Sequence, residues 1–209
     1  MANQGMPLKN MVFDMGGVLI QYLPRHFIER EGVTDPQEQE LLLKLIFHSK
    51  EWPLIDLGTF TEEQLEEIVR PQVPPRLHDT VHKLIFDYFL PLEPIPGMAD
   101  FIRECKDKGM GIYLVSNASL RQKTYWHTIP GSECFDGEIV SAYERCVKPG
   151  PEIFNLLLSR YGLNAGECMF VDDLQPNVDG AMAVGMRGFH FTGDVAALRR
   201  AVEEILEQN

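Results

Sequence analysis

Four times along this chain a polar group follows an apolar run, and that arrangement constrains the fold more than any other feature. The segments are Val12-Phe13-Asp14-Met15-Gly16-Gly17-Val18-Leu19, Leu114-Val115-Ser116-Asn117, Val147-Lys148-Pro149 and Phe170-Val171-Asp172-Asp173. Apolar runs of strand length fall at 10–13, 111–115, 137–141, 168–171 and 187–191. Between the later ones, residues 98–108, 152–161, 177–184 and 194–207 carry apolar side chains three and four apart, the period of an amphipathic helix. Strands alternating with helices predict an α/β fold with a Rossmann-like parallel sheet covered on both faces. Ligands of such sheets bind at the carboxyl ends of the strands, where three of the four segments end.

Residues 22–90 break the alternation. They read as helices only, at 25–30, 36–49, 61–69 and 76–89, with turns at 56–58 and 71–75. Thr61 with Gln64 has the spacing of a capping box. Three prolines at 91, 94 and 96 predict a stiff return into the sheet. The expected organisation is a core domain of residues 1–21 and 91–209 with an all-helical cap, 22–90, inserted after the first strand.

In chain order the four segments offer a carboxylate, a hydroxyl with an amide, an amine, and paired carboxylates. That set suits phosphoryl transfer: carboxylates hold a hard dication through oxygen, an amine and small donors neutralise phosphate oxygens, and one carboxylate attacks phosphorus. Asp14 ends a strand and precedes two glycines, which let backbone approach a ligand, though Asp and Gly are also ordinary turn residues. Ser116 and Asn117 precede a helix-like stretch and read as substrate-binding donors, the plainer alternative being helix capping. Adjacent Asp172 and Asp173 at a strand end repel unless a cation compensates them, so they read as metal ligands, with Asp172 acting through water or orienting Lys148. Asn177 and Asp179 read as the start of the next helix, with support of the metal site as the lesser alternative. Trp52 and Asp56 lie in the one cap loop expected to reach the site, where Trp52 either reads the substrate or simply packs.

At these segments the chain resembles the haloacid dehalogenase superfamily of aspartate-nucleophile hydrolases, and within it the capped sugar-phosphatase branch of bacterial glucose-1-phosphate phosphatases and epoxide hydrolase phosphatase domains. The resemblance implies that Asp14 is the nucleophile and a Mg²⁺ ligand, that the Gly16 carbonyl and Asp173 complete the metal site, and that Lys148 neutralises phosphate and nucleophile. The family's usual second Asp, two residues after the nucleophile, is Gly16 here. A protonating group is thereby missing, and Asp56 and His127 are the first candidates to replace it.

The expected function is a Mg²⁺-dependent phosphatase acting through an aspartyl-phosphate on Asp14, with a small cytosolic metabolite, a sugar phosphate, as substrate. The alternatives are a 2-haloacid dehalogenase, which needs no metal, a phosphomutase, and a catalytically weakened phosphate-binding module. A net charge of -12 opposes nucleic acid or an anionic membrane as partner. The four cysteines show no CxxC pairing, which suits a reduced, cytoplasmic chain.

Overall fold

The computed structural model describes residues 6–207. Five short strands, β1 (Asn10–Phe13), β2 (Gly111–Ser116), β3 (Gly137–Val140), β4 (Cys168–Asp172) and β5 (Arg187–His190), form one sheet in the order β3-β2-β1-β4-β5. Every neighbouring pair is parallel. From central β1 the chain builds outward to β2 and β3 on one side, then crosses to β4 and β5 on the other. The reversal opens a crevice at the carboxyl ends of β1 and β4, the place where such sheets receive ligands.

The alternation of side chains in the central strands explains why they read as unbroken apolar runs. Met11 and Phe13 of β1, with Ile112, Leu114, Met169 and Val171, pack on one face against helices α6 (Met98–Asp107) and α11 (Val195–Glu207). Val12, Val115, Ile139 and Phe170 face the other way onto α9 (Pro151–Tyr161) and α10 (Gln175–Ala183). Burying a side chain of this size removes enough apolar surface from water to contribute about 1.5–3 kcal/mol. Covered on both faces, these strands have no reason to alternate polar with apolar residues.

Between β1 and β2 the chain is helical, as expected. α1 (Pro24–Arg30), α2 (Pro36–Leu42), α3 (Trp52–Asp56), α4 (Glu62–Val69) and α5 (His78–Phe86) surround a hydrophobic cluster drawn from residues 27–86 alone. Asp35 caps α2 by accepting from the backbone N–H groups of Gln37 and Glu38. The capping box at α4 forms in both directions, Thr61 Oγ1 accepting from Gln64 N at 3.2 Å and Gln64 Oε1 from Thr61 N at 3.0 Å. Two details depart from expectation. The helix expected over 36–49 passes after Leu42 into a π-helical turn, Leu43–Phe47. The loop at Trp52 is itself a short helix, α3, because Ser49 Oγ accepts from Trp52 N at 3.1 Å and Pro53 sits in its first turn, where a missing N–H costs nothing. Two short helices, α7 (Gln122–Tyr125) and α8 (Ser141–Glu144), complete the core.

Candidate active site

The strand register brings the acidic residues together. Phe13 of β1 pairs with Val171 of β4, so Asp14 and Asp172 leave neighbouring strands side by side. The pairing extends one step further, since Asp14 N donates to Val171 O at 2.9 Å. Between the two carboxylates lies the Lys148 ammonium, 2.8 Å from Asp14 Oδ1 and 2.7 Å from Asp172 Oδ2. Burial by itself opposes the lysine's charge, but Asp14 and then Asp172 outweigh it and hold the ammonium above its ordinary range. With side-chain exposures of 1% for Lys148 and 0% for Asp172, removing either partner would strand a buried charge.

Asp172 is filled from the protein side. Leu174 N donates to its Oδ1 at 2.8 Å, and the Asn177 amide reaches both oxygens at 3.1 Å. The carboxylate is thereby oriented onto Lys148, the alternative the sequence allowed for it. Asn177 supports the cluster, the lesser of its two alternatives, while Asp179 accepts from Gln175 on the helix surface. Asp173 lies over the backbone of Gly17: a Cβ at that glycine, whose φ is +74, would stand 2.4 Å from Asp173 Oδ2. A side chain at position 17 would strain the left-handed backbone and displace the Asp173 carboxylate, which favours glycine there.

Asp14, Asp172 and Asp173 each place a carboxylate oxygen within 4.8 Å of the others. Burial pushes the Asp14 carboxyl up to about 6, with Lys148 opposing and Asp172 adding to the rise. Asp173 is raised as well, by burial first and by Asp172 second. Crowded carboxyls destabilised by burial and by one another are what a divalent cation compensates, and an all-oxygen donor set suits a hard one. Among the described residues the Gly16 carbonyl accepts no hydrogen bond, which leaves it free to join that set. The residues present therefore fit Mg²⁺.

Ser116 is buried at the end of β2, and its hydroxyl has no protein partner among the described residues, so it is available to a ligand. Asn117 departs from the expectation of an anion donor. Its amide donates to Lys148 O at 3.1 Å, and its carbonyl accepts from Lys148 N at 2.9 Å. Both heteroatoms face the main chain of the lysine loop, so the side chain fixes Lys148 against β2.

A cavity of about 280 Å³ sits above this cluster, lined by Asp14, Ser116, Lys148 and Asp173 below and by Trp52, Asp56 and Tyr88 above. Much of its wall is aromatic. The rings of Trp52 and Tyr88 lie 5.4 Å apart, Tyr22 and Tyr88 6.0 Å, and Phe89 stacks on Tyr125 at 3.8 Å. Trp52 packs on Phe47 at 5.0 Å and also lines the cavity. Asp56 is held from the core: Ser141 Oγ donates to its carbonyl at 2.6 Å. Burial pushes the Asp56 carboxyl up to about 7, with Asp14 adding, Lys148 opposing and Glu62 adding further. His127 is exposed and does not line the cavity, which removes it as a proton donor there. Tyr22, Tyr88, Phe89 and Tyr125 were not legible as site residues, because they come from separate segments and share no local period. Asn177 had a readable cue, a helix start five residues after a strand-end acid.

Residues 8–185 match the family model of the haloacid dehalogenase-like hydrolases. The chain belongs to that family, and it is a hydrolase. It is similar to the sesquiterpene phosphatase astK of Aspergillus oryzae, at 31% identity over 90% of this chain and 92% of that protein. Among solved structures it resembles an enzyme of the family from Bacteroides thetaiotaomicron determined as a magnesium complex, with a TM-score of 0.68 at 20% identity over 93% of this chain and all of that one (100%). It also resembles the L-2-haloacid dehalogenase of Xanthobacter autotrophicus, with a TM-score of 0.66 at 19% identity over 94% of this chain and 83% of that one. At such identities the two structures speak for fold alone. Among the described residues no helix is long and apolar enough to cross a membrane.

Proposed function

We propose that this hydrolase is a Mg²⁺-dependent phosphomonoesterase working through an aspartyl-phosphate on Asp14. The observation that carries the reading is the Lys148 ammonium bridging Asp14 and Asp172 beside a third carboxylate, Asp173, at the foot of a cavity. Asp14, Asp173 and the Gly16 carbonyl would hold the ion, which supplies positive charge to the phosphate oxygens. Asp14 attacks phosphorus in line, Lys148 and the Ser116 hydroxyl take the equatorial charge, and water then cleaves the acyl phosphate. Asp172, Asn177 and Asn117 keep Lys148 in place. Residues 22–90 serve as a cap that excludes water from the reaction, on a core of 1–21 and 91–209.

The substrate is a small phosphorylated metabolite. The sequence suggested a sugar phosphate, but the aromatic wall supports an apolar organic part, since a polyol would leave its hydroxyls against rings. The likeness to a sesquiterpene phosphatase points the same way, toward a terpenyl or comparable hydrocarbon monophosphate. A dehalogenase would share Asp14, Lys148 and the Asp172 that orients it, but it needs no metal and so leaves Asp173 without a role.

The test is a hydrolysis panel of farnesyl monophosphate, glucose 1-phosphate and p-nitrophenyl phosphate with Mg²⁺ and with excess chelator. The expected result is turnover that needs Mg²⁺, favours the farnesyl ester over the sugar, and vanishes in Asp14→Asn. Full activity in chelator, or in Asp14→Asn, would sink the mechanism.

A further inference from the structure

The reaction just proposed needs a proton that the core cannot supply. When the bond from phosphorus to an alkyl oxygen breaks, the departing oxygen carries the electron pair and must be protonated, or the step is slow. The core carboxylates beneath the cavity are already engaged. Asp14 is the attacking group, Asp172 is filled by Lys148, Leu174 and Asn177, and Asp173 faces the metal position. Gly16 has no side chain. One further carboxylate lines the cavity, that of Asp56, and it comes down from the cap.

Its placement is not that of a loop acid in solvent. The Asp56 carbonyl accepts from Ser141 Oγ, whose residue is fully buried and which is itself tied to Ala118, accepting from Ala118 N at 3.0 Å. Two residues on, Gly58 lies against the core with φ +71, so close that a Cβ would stand 2.2 Å from Ala142 O. Two contacts therefore fix the turn after α3 onto the core. The Asp56 carboxylate itself has no hydrogen bond or ion pair among the described residues, and the wall around it is aromatic. The charged groups that act on it are Asp14 and Lys148 from the core and Glu62 from α4, and the buried hydroxyls of Tyr22, Tyr88 and Tyr125 lie within its field.

We propose that Asp56 is the catalytic acid and base of this hydrolase, delivered to the core-bound phosphate by the docked cap. In the first step an Asp14 oxygen bonds to phosphorus, the bond from phosphorus to the leaving oxygen breaks, and that oxygen takes the proton of Asp56. In the second, Asp56 takes a proton from water as its oxygen bonds to phosphorus and the Asp14 bond breaks. The sum is ester plus water giving alcohol plus phosphate, with both carboxyls restored. The proton balance agrees with the environment, which holds Asp56 protonated to about pH 7 through burial, with Asp14 adding and Lys148 opposing. Docking and chemistry are then one event, because the cap brings the proton.

The inference rests on the phosphomonoesterase reading, and leaving-group selectivity separates the two. The full chain with Mg²⁺ is assayed on p-nitrophenyl phosphate, whose phenolate departs without a proton, and on hexyl phosphate, whose alkoxide does not. Asp56→Asn should lower kcat/KM on hexyl phosphate by about 10²-fold or more and on p-nitrophenyl phosphate by less than about 5-fold. Asp56→Glu should recover part of the hexyl activity. Equal losses on both esters, or no loss on either, would overturn the role of Asp56 while leaving the phosphatase reading intact. A wild-type protein inactive on both esters would overturn the phosphatase reading and this role with it. If Asp56→Asn does not fold, the wild-type protein answers alone. With chemistry rate-limiting, a shallow dependence of turnover on leaving-group acidity across aryl phosphates supports a positioned donor, and a steep one overturns it.

Discussion

At the scale of single residues, two positions carry more than their chemistry shows. Gly17 combines a left-handed backbone with contact to Asp173, so Gly17→Ala must shift either the turn or the carboxylate. The expected outcome is a loss of about 1–3 kcal/mol of stability and a weaker Mg²⁺ response, read from thermal melts and from a metal titration of activity. Asp56 gives a pH signature. Its folded-state carboxyl is raised from 3.8 to about 7, by burial first, so between those values the folded protein keeps a proton that the unfolded chain has released. Stability contributed by that group is present at low pH and is lost as pH rises through this window. In Mg²⁺-free protein Asp56→Asn should therefore match the wild type near pH 4 and exceed it in Tm by a few degrees near pH 8. A Tm gap that does not widen with pH would show that Asp56 is ionised in the fold.

At the scale of elements, legibility in the sequence followed locality. The five strands and the helices between them announced themselves, because central parallel strands buried on both faces must be apolar throughout. The capping box at Thr61 was equally plain, since both partners lie within one turn. Asn117 could be placed but not aimed. Whether its amide meets an anion or a backbone depends on the lysine loop, 31 residues away, folding against it. Helix α3 was hidden only in part for that reason: its start is fixed locally by Ser49, but its end by contacts with α8, 85 residues away. Asn177, on the first turn of α10, shows what an element adds to a motif: the helix start aims an amide at both oxygens of Asp172. Asn177→Ala should leave the fold intact and lower turnover about 10- to 100-fold by loosening Asp172 and, through it, Lys148. Circular dichroism together with steady-state kinetics would check it, and undiminished turnover would mean that Leu174 N alone suffices.

At the scale of the whole molecule, Asp14, Lys148, Asp172 and Asp173 belong to the core, whereas Tyr22, Trp52, Tyr88 and Phe89 of the aromatic wall come with Asp56 from the helical insertion, so selectivity and the proposed proton transfer both depend on how the insertion sits on the core. The two are tied by a few directional contacts. Ser141 holds Asp56, and Arg121 reaches from the core to Phe86 O at 3.2 Å while its guanidinium lies 5.3 Å from the Phe86 ring centroid. Tyr88 packs against the hydrophobic clusters of both parts, so the wall of the cavity is continuous across the join. Trp52 is the insertion residue whose loss should separate substrate reading from chemistry. It lines the cavity, and the rings beside it are Phe47 and Tyr88. Trp52→Ala should lower kcat/KM for farnesyl monophosphate by about 10- to 100-fold, the value of one large apolar side chain removed from a hydrocarbon contact. Methyl phosphate, which is too small to reach the ring, should lose at most a few-fold. An equal fall on both esters would mean that Trp52 only supports the insertion, and the apolar wall would then have to be assigned to Tyr22 and Phe89 at the two ends of the insertion and to Tyr125 of the core.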